Sequence, residues 1–238
     1  MQDILEKIKS TGYWKVILRP KEFHNELITP LSLCKNYLES SAVTLRGWSY
    51  PHIESHLISN GQDWVEHHTD YTDRPEFGYV EFVRLYQSGQ FYHLFACRED
   101  YSVSTDEIPS RSVKTTSPTN KYLSILATLY TITEIYFFAS KLFKHLDTDG
   151  ISVDISLNDS VGRQLFFYDK SRYLRRDYRC TIPSIVFSKI YSTEEIVANF
   201  EELALHTVTF FFERFNWEIT SPKMFYEEQQ KFLERRLF

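Results

Sequence analysis

Two turn dipeptides constrain this chain more than anything else in it. Asn60-Gly61 separates the runs 53–59 and 62–69, and Ser88-Gly89 separates 79–86 from 91–98, runs that are alternating or aromatic-rich. Such pairs between extended runs build β-hairpins, so the first hundred residues are expected to form an antiparallel sheet. A helix is expected from Thr29-Pro30 to about Ser41, with Leu31, Cys34 and Leu38 as its apolar stripe, and a single strand over 43–50.

The stretch 99–119 carries Ser, Thr, Asp and Pro without a sustained period and reads as a connector. Beyond it, Ser117-Pro118 precedes a long apolar helix to about Leu146, and Ile151, Val153, Ile155 and Leu157 alternate with polar residues as a half-buried strand should. Further strands are expected over 163–168 and 184–190. Ser192-Thr-Glu-Glu195 is a capping box for the following helix, and Ser221-Pro222 starts the last one. The fold class is therefore α+β, an antiparallel hairpin-built sheet with flanking helices. It divides into a hairpin-rich lobe (1–100), a connector (101–117) and a helix-flanked, three-stranded lobe (118–238), taken together as one compact unit of two lobes.

Composition narrows the class of function. Three cysteines, Cys34, Cys97 and Cys180, are too few and too scattered for a disulfide framework, and the first residues lack the basic head and apolar run of an export signal. A cytoplasmic protein is the expectation. The long helix carries Glu134 near its middle, which argues against a membrane span. A net charge of −5 excludes a protein that coats nucleic acid with its whole surface, though not one with a local basic patch. None of the common phosphate-loop, metalloprotease, hydrolase or kinase signatures occurs, and only seven glycines are present to cradle a nucleotide.

Three groups of residues remain as candidates. If the Asn60-Gly61 turn has two residues, Glu54 faces His67, and His52, Glu54, His56 and His67 share one face of the hairpin, a set suited to a divalent metal such as Zn²⁺. The segment from Arg163 to Arg179 sets Arg163, Lys170, Arg172, Arg175, Arg176 and Arg179 against only Asp169 and Asp177. Interleaved with Tyr173, Tyr178 and other aromatics, it suits a protein partner, a second copy of the chain, or nucleic acid. The run Arg46-Gly-Trp-Ser-Tyr-Pro-His52 is dense in special residues, and its simplest reading is core architecture. The functional expectation is a non-enzymatic binding or regulatory module using the arginine–tyrosine surface. The alternative is a metal-dependent hydrolase or nuclease centred on the histidine face.

Overall fold

The computed structural model describes residues 2–74, 78–102, 121–169, 171–219 and 222–235. The described chain runs α1 (Gln2–Lys9), β1 (Tyr13–Pro20), α2 (Ser32–Ser41), β2 (Val43–Thr44), β3 (Ser49–Tyr50), a 3₁₀ turn (Ser55–Leu57), β4 (Ser59–Asn60) and β5 (Trp64–Asp70). It continues with β6 (Val80–Tyr86), β7 (Phe91–Ala96), α3 (Glu99–Ser102), β8 (Tyr122–Ser124), α4 (Ile125–Phe143) and β9 (Gly150–Asn158). β10 (Gln164–Phe166), β11 (Ser184–Ser192), α5 (Thr193–Glu213) and α6 (Lys223–Leu233) complete it.

Seven strands form one sheet in the order β11-β9-β1-β7-β6-β5-β4, antiparallel at every pairing. The fold is thus α+β, as the hairpin signals imply. Alternation in β1 sends Trp14, Val16 and Leu18 into the main core, where they meet Ile151, Val153, Ile155 and Leu157 of β9 and the apolar residues of α4 and α5. The opposite face carries a smaller cluster, with Ile8 of α1 packed on Val80, Phe82, Leu94 and Ala96. α4 is apolar nearly all round because helices cover it as well as the sheet, the pattern of an enclosed helix. Among the described residues, no helix is long and apolar enough to cross a membrane.

Both main helices start at a serine cap, one anticipated and one not. Ser192 accepts a hydrogen bond from the Glu195 amide at 3.0 Å, as the capping box requires. The long helix starts at Ser124, whose hydroxyl accepts from the Ala127 amide at 3.3 Å, rather than at Ser117-Pro118, which lies outside the described residues.

Several expectations need correction. The 43–50 strand is two short strands folded about Arg46 and Gly47, and Gly47 holds φ +96°, a conformation that other residues rarely adopt. The 53–69 hairpin is mostly absent, because residues 55–57 turn as a 3₁₀ helix and only Ser59 and Asn60 pair with β5. Its turn closes through Gly61 N–H to the Trp64 carbonyl, so Ser59 faces Glu66 and Asn60 faces Val65. Glu54 therefore does not face His67. The strand at 164–166 pairs in parallel with β8, away from the main sheet, while β9 and β11 extend the sheet begun by the first half of the chain.

Candidate functional site

Where the β2–β3 loop approaches α4, a pocket of about 450 Å³ opens beside the end of β7. That volume is within the range of small-ligand sites. α4 supplies its floor through Ala127, Thr128, Thr131 and Glu134, which helical spacing places on one face. Three of these are small, so the helix leaves space where bulkier residues would have filled it. The Arg46–Tyr50 run supplies Arg46, Trp48, Ser49 and Tyr50, and β1 and β7 add Trp14 and Phe95. Tyr79, Arg98 and Tyr168 also line it. Trp48 stacks on Tyr79 at 5.9 Å, and the Arg98 guanidinium lies 5.5 Å from the Trp48 ring centre.

The charged centre is Glu134 and Arg46. Arg46 Nη2 donates to Glu134 Oε2 at 2.7 Å and to Thr131 Oγ1 at 2.9 Å. The Glu134 side chain is only 1% exposed. Its other oxygen, Oε1, and the Arg46 Nε are both buried without a hydrogen-bond partner among the described residues, as are Arg163 Nε and Arg172 Nη1 elsewhere. Burial pushes the Glu134 carboxyl up to about 7 against the pull of Arg46, and the nearby Glu81 adds to the rise.

Behind the aromatic wall a second network fixes the rings in place. Tyr79 donates to Glu81 Oε2 at 2.6 Å, and the His52 amide donates to Oε1 at 3.1 Å. His93 is fully buried, with Nε2 2.7 Å from Glu81 Oε2 and Nδ1 3.0 Å from the Tyr50 hydroxyl. Burial, reinforced by the Glu81 charge, raises both phenols well above their ordinary range, so they are donors. The His93 ring links the Tyr50 hydroxyl to the Glu81 carboxylate. Each hydroxyl is thereby tied to the interior. Tyr50 and Tyr79 line the pocket. Cys97 also lines the pocket, but burial pushes its thiol far up, which leaves it inert as a nucleophile.

The histidine group assembles differently from the expected strand face. Glu54 lies 3.9 Å from His52 Nε2 and 4.0 Å from His56 Nε2, and accepts from the Tyr71 hydroxyl at 2.8 Å. That hydrogen bond, helped by the imidazoles, holds the Glu54 carboxyl below its usual range. His67 is buried and contacts Thr69 Oγ1 at 3.2 Å, and burial lowers its pKa. These are ion-pair spacings, well beyond the roughly 2 Å of metal coordination. Among the described residues, no group of three His, Cys, Asp or Glu side chains is placed to hold a metal ion.

The arginine–tyrosine segment is divided between the interior and the surface. Arg163 is 0% exposed, and its fork grips Asp100 at 2.8 and 2.7 Å while also donating to the Tyr122 carbonyl. It belongs to no surface. Gly12 is required beside it, because a Cβ there would lie 1.8 Å from Arg163 Nη2, and the Gly12 amide donates to the same Asp100. Arg172 bridges Glu228 and Asp169, and Arg179 reaches Gln164 and the Gly162 carbonyl. Tyr178 packs against Trp217, and Arg176 lies over the Tyr178 ring. Lys170 lies outside the described residues. Tyr173, Arg175 and Arg176 stay exposed, and Tyr168, on the same segment, reaches the pocket.

Glu134, Tyr79 and Arg98 were not among the candidates, and Trp48 was, within the run whose simplest reading was core architecture rather than a ligand groove. A single carboxylate inside an apolar helix and the dense 46–52 run are the sequence signals that point to them, the first noticed only as an obstacle to membrane insertion. Compared with protein families, curated proteins and solved structures, the chain matches none, so the chemistry of this pocket is what guides the functional reading.

Proposed function

We propose that the protein is a binding module whose ligand occupies the pocket between the Arg46–Tyr50 loop and α4. The observation that carries this reading is a buried ion pair, Arg46 with Glu134, in the lining of a cavity walled by aromatic rings. Hydrogen-bonding groups few in number and set in apolar walls are the usual composition of small-molecule sites. The ligand is a small molecule, or one projecting group of a larger partner, with a flat ring for Trp48 and Tyr79. Exposed Tyr173, Arg175 and Arg176, reached from the pocket through the segment that carries Tyr168, form the part of the arginine–tyrosine segment open to a protein or nucleic-acid partner.

Trp14 and Trp48 both line the pocket, so their fluorescence tests the reading directly. A library of small ring compounds and metabolites should contain ligands that change the emission saturably and raise Tm. Trp48→Ala should weaken them all. If no compound shifts emission or Tm, the pocket is a packing fault and the reading falls.

A further inference from the structure

We infer that β11 is the interface of a homodimer, in which two copies of the chain pair their β11 strands antiparallel about a two-fold axis through Ser188 and join their sheets into one. The inference is independent of the pocket. β11 ends the strand order, and among the described residues no strand lies beyond it. The opposite edge of the sheet, β4, is two residues long, whereas β11 has nine and pairs with β9 from Ser184 to Ser192 without a bulge. Edge strands of stable monomers are usually kept short, bent by a bulge or broken by proline. None of these devices is present in β11.

The direction of its backbone groups follows from the register. The Thr193 amide donates to the Asp149 carbonyl and the Ser160 amide to the Pro183 carbonyl, so the odd-numbered residues of this strand turn their polar groups toward β9. The Lys21 amide donates to the Gly150 carbonyl, which assigns the even-numbered residues of β9 to β1 and leaves the odd ones for β11, in agreement. Val186, Ser188 and Ile190 therefore aim their N–H and C=O groups away from the sheet. Ile185, Phe187 and Tyr191 enter the main core, so the side chains of Val186, Ser188 and Ile190 stand on the other face. There Val186 is 60% and Ile190 63% exposed, and their neighbours on β9, Ser156 and Ser152, are too small to cover them. A lone chain leaves two large apolar side chains bare beside a row of unpaired backbone groups.

The same strand, run in the opposite direction, supplies what covers them. Ser188 is the midpoint of β11, and antiparallel pairing about it sets Val186 opposite the partner's Ile190 and Phe187 opposite the partner's Lys189. Apolar meets apolar on the exposed face. Lys189 already lies 5.9 Å from the Phe187 ring of its own chain, and the dimer brings it a second such ring. No like charges face each other, because Lys189 is the only charged residue of β11. Even-numbered residues fall opposite even-numbered ones, so each outward amide finds an outward carbonyl. An edge that takes up a foreign peptide needs no such symmetry, and its presence here favours a second copy in a closed two-fold contact.

The test is sedimentation equilibrium of the full chain across a wide concentration range. The average mass should rise from one chain to two and stop there. Ser188→Pro removes an outward amide without touching the bonds to β9, and should abolish dimerisation while the circular dichroism of the fold is kept. Two charge variants read the register, and they decide alone if Ser188→Pro does not fold. Val186→Glu with Ile190→Glu sets like charges opposite each other at both sites and should weaken the dimer by roughly tenfold or more. Val186→Glu with Ile190→Lys sets opposite charges there and should restore it. A wild type that stays monomeric at every concentration overturns the inference and leaves the edge to a foreign extended segment. A dimer that survives both Ser188→Pro and the double glutamate change also overturns it, since the contact then lies elsewhere. Equal dimerisation of the two charge variants overturns the Ser188 axis, and mass that climbs past two chains overturns the closed dimer.

Discussion

Two segments of this chain combine arginine with aromatic residues, and the fold uses them in opposite ways. In 163–179, Arg163 is fully buried on Asp100 and Arg172 pairs with Glu228, carboxylates delivered by distant elements, while Arg175 and Arg176 stay exposed. In 46–52, Arg46 also meets one carboxylate, Glu134, but this pair lines a pocket. The ion pairs of the first segment cement the structure. The pair of the second borders a cavity. What separates them is where the tertiary fold leaves space beside a guanidinium, which no local pattern of arginine and tyrosine records.

The comparison breaks most readily at Arg163. Arg163→Met should cost about 3–5 kcal/mol, because it strands the largely buried Asp100 and removes a donor from the Tyr122 carbonyl. Urea denaturation measures it, and a loss below about 1 kcal/mol would show that the segment is not structural.

The next effect concerns pH and the pocket. Glu134 titrates near 7 in the folded protein against 4.5 for its ordinary value, so the unfolded chain releases this proton first. Its contribution is fully present below about pH 4.5 and is lost as pH rises through about 7. Relative to Glu134→Gln, the wild type should therefore lose up to about 3 kcal/mol of stability between pH 4.5 and pH 8. The groups acting on this carboxyl are Arg46 and Glu81, and Tyr50 stays a neutral phenol throughout. A ligand that donates a hydrogen bond to the Glu134 carboxylate captures the ionised form, so its affinity should rise with pH across the same window. Parallel stability profiles for the two proteins would contradict the assignment.

Smaller effects sharpen the other side of the comparison. Arg172→Ala should cost about 1 kcal/mol with solvent screening included, since Glu228 is buried but Arg172 itself is partly exposed. Burial works to raise the Glu228 carboxyl, yet Arg172 and Lys231 outweigh it and hold the pKa below the ordinary value. Deleting Arg172 should thus shift the Glu228 titration upward, measurable by NMR. Arg175→Ala and Arg176→Ala should change stability by no more than about 0.5 kcal/mol. A loss of nucleic-acid or partner retention in these two variants, with Tm unchanged, would restore an interaction role to the exposed part of the segment.

What could be read from the sequence is what local chemistry determines. The Ser192 cap, the Ser41 end of α2, the alternation of β9 and the extended runs around Ser88-Gly89 depend on neighbours in the chain, and each is in place. Register was less legible. Asn60-Gly61 suggests a two-residue turn, but the turn closes at Trp64 and moves the pairing, which dissolves the expected His52, Glu54, His56 and His67 face. The parallel pairing of β8 with β10 joins residues on either side of α4, and nothing local announces it. The pocket was hidden for the same reason. Arg46 and Glu134 are far apart in sequence, and each has a plausible local explanation until the fold places one against the other.

The position of β1 bears on how the molecule comes to be made. β1 lies between β7 and β9, pairing Val16 with His93 on one side and with Ile155 on the other. During synthesis β1 can zip onto β7 once the first hundred residues have emerged, but its other edge must wait for β9. For that interval the nascent chain displays a row of unpaired amides and carbonyls next to Trp14, Val16 and Leu18, a ready template for another strand. Pairings across so much intervening chain are also slow to form. The expectation is a protein whose yield depends on how quickly the ribosome delivers residues 150–158, and whose first half, expressed alone, aggregates through the open edge of β1.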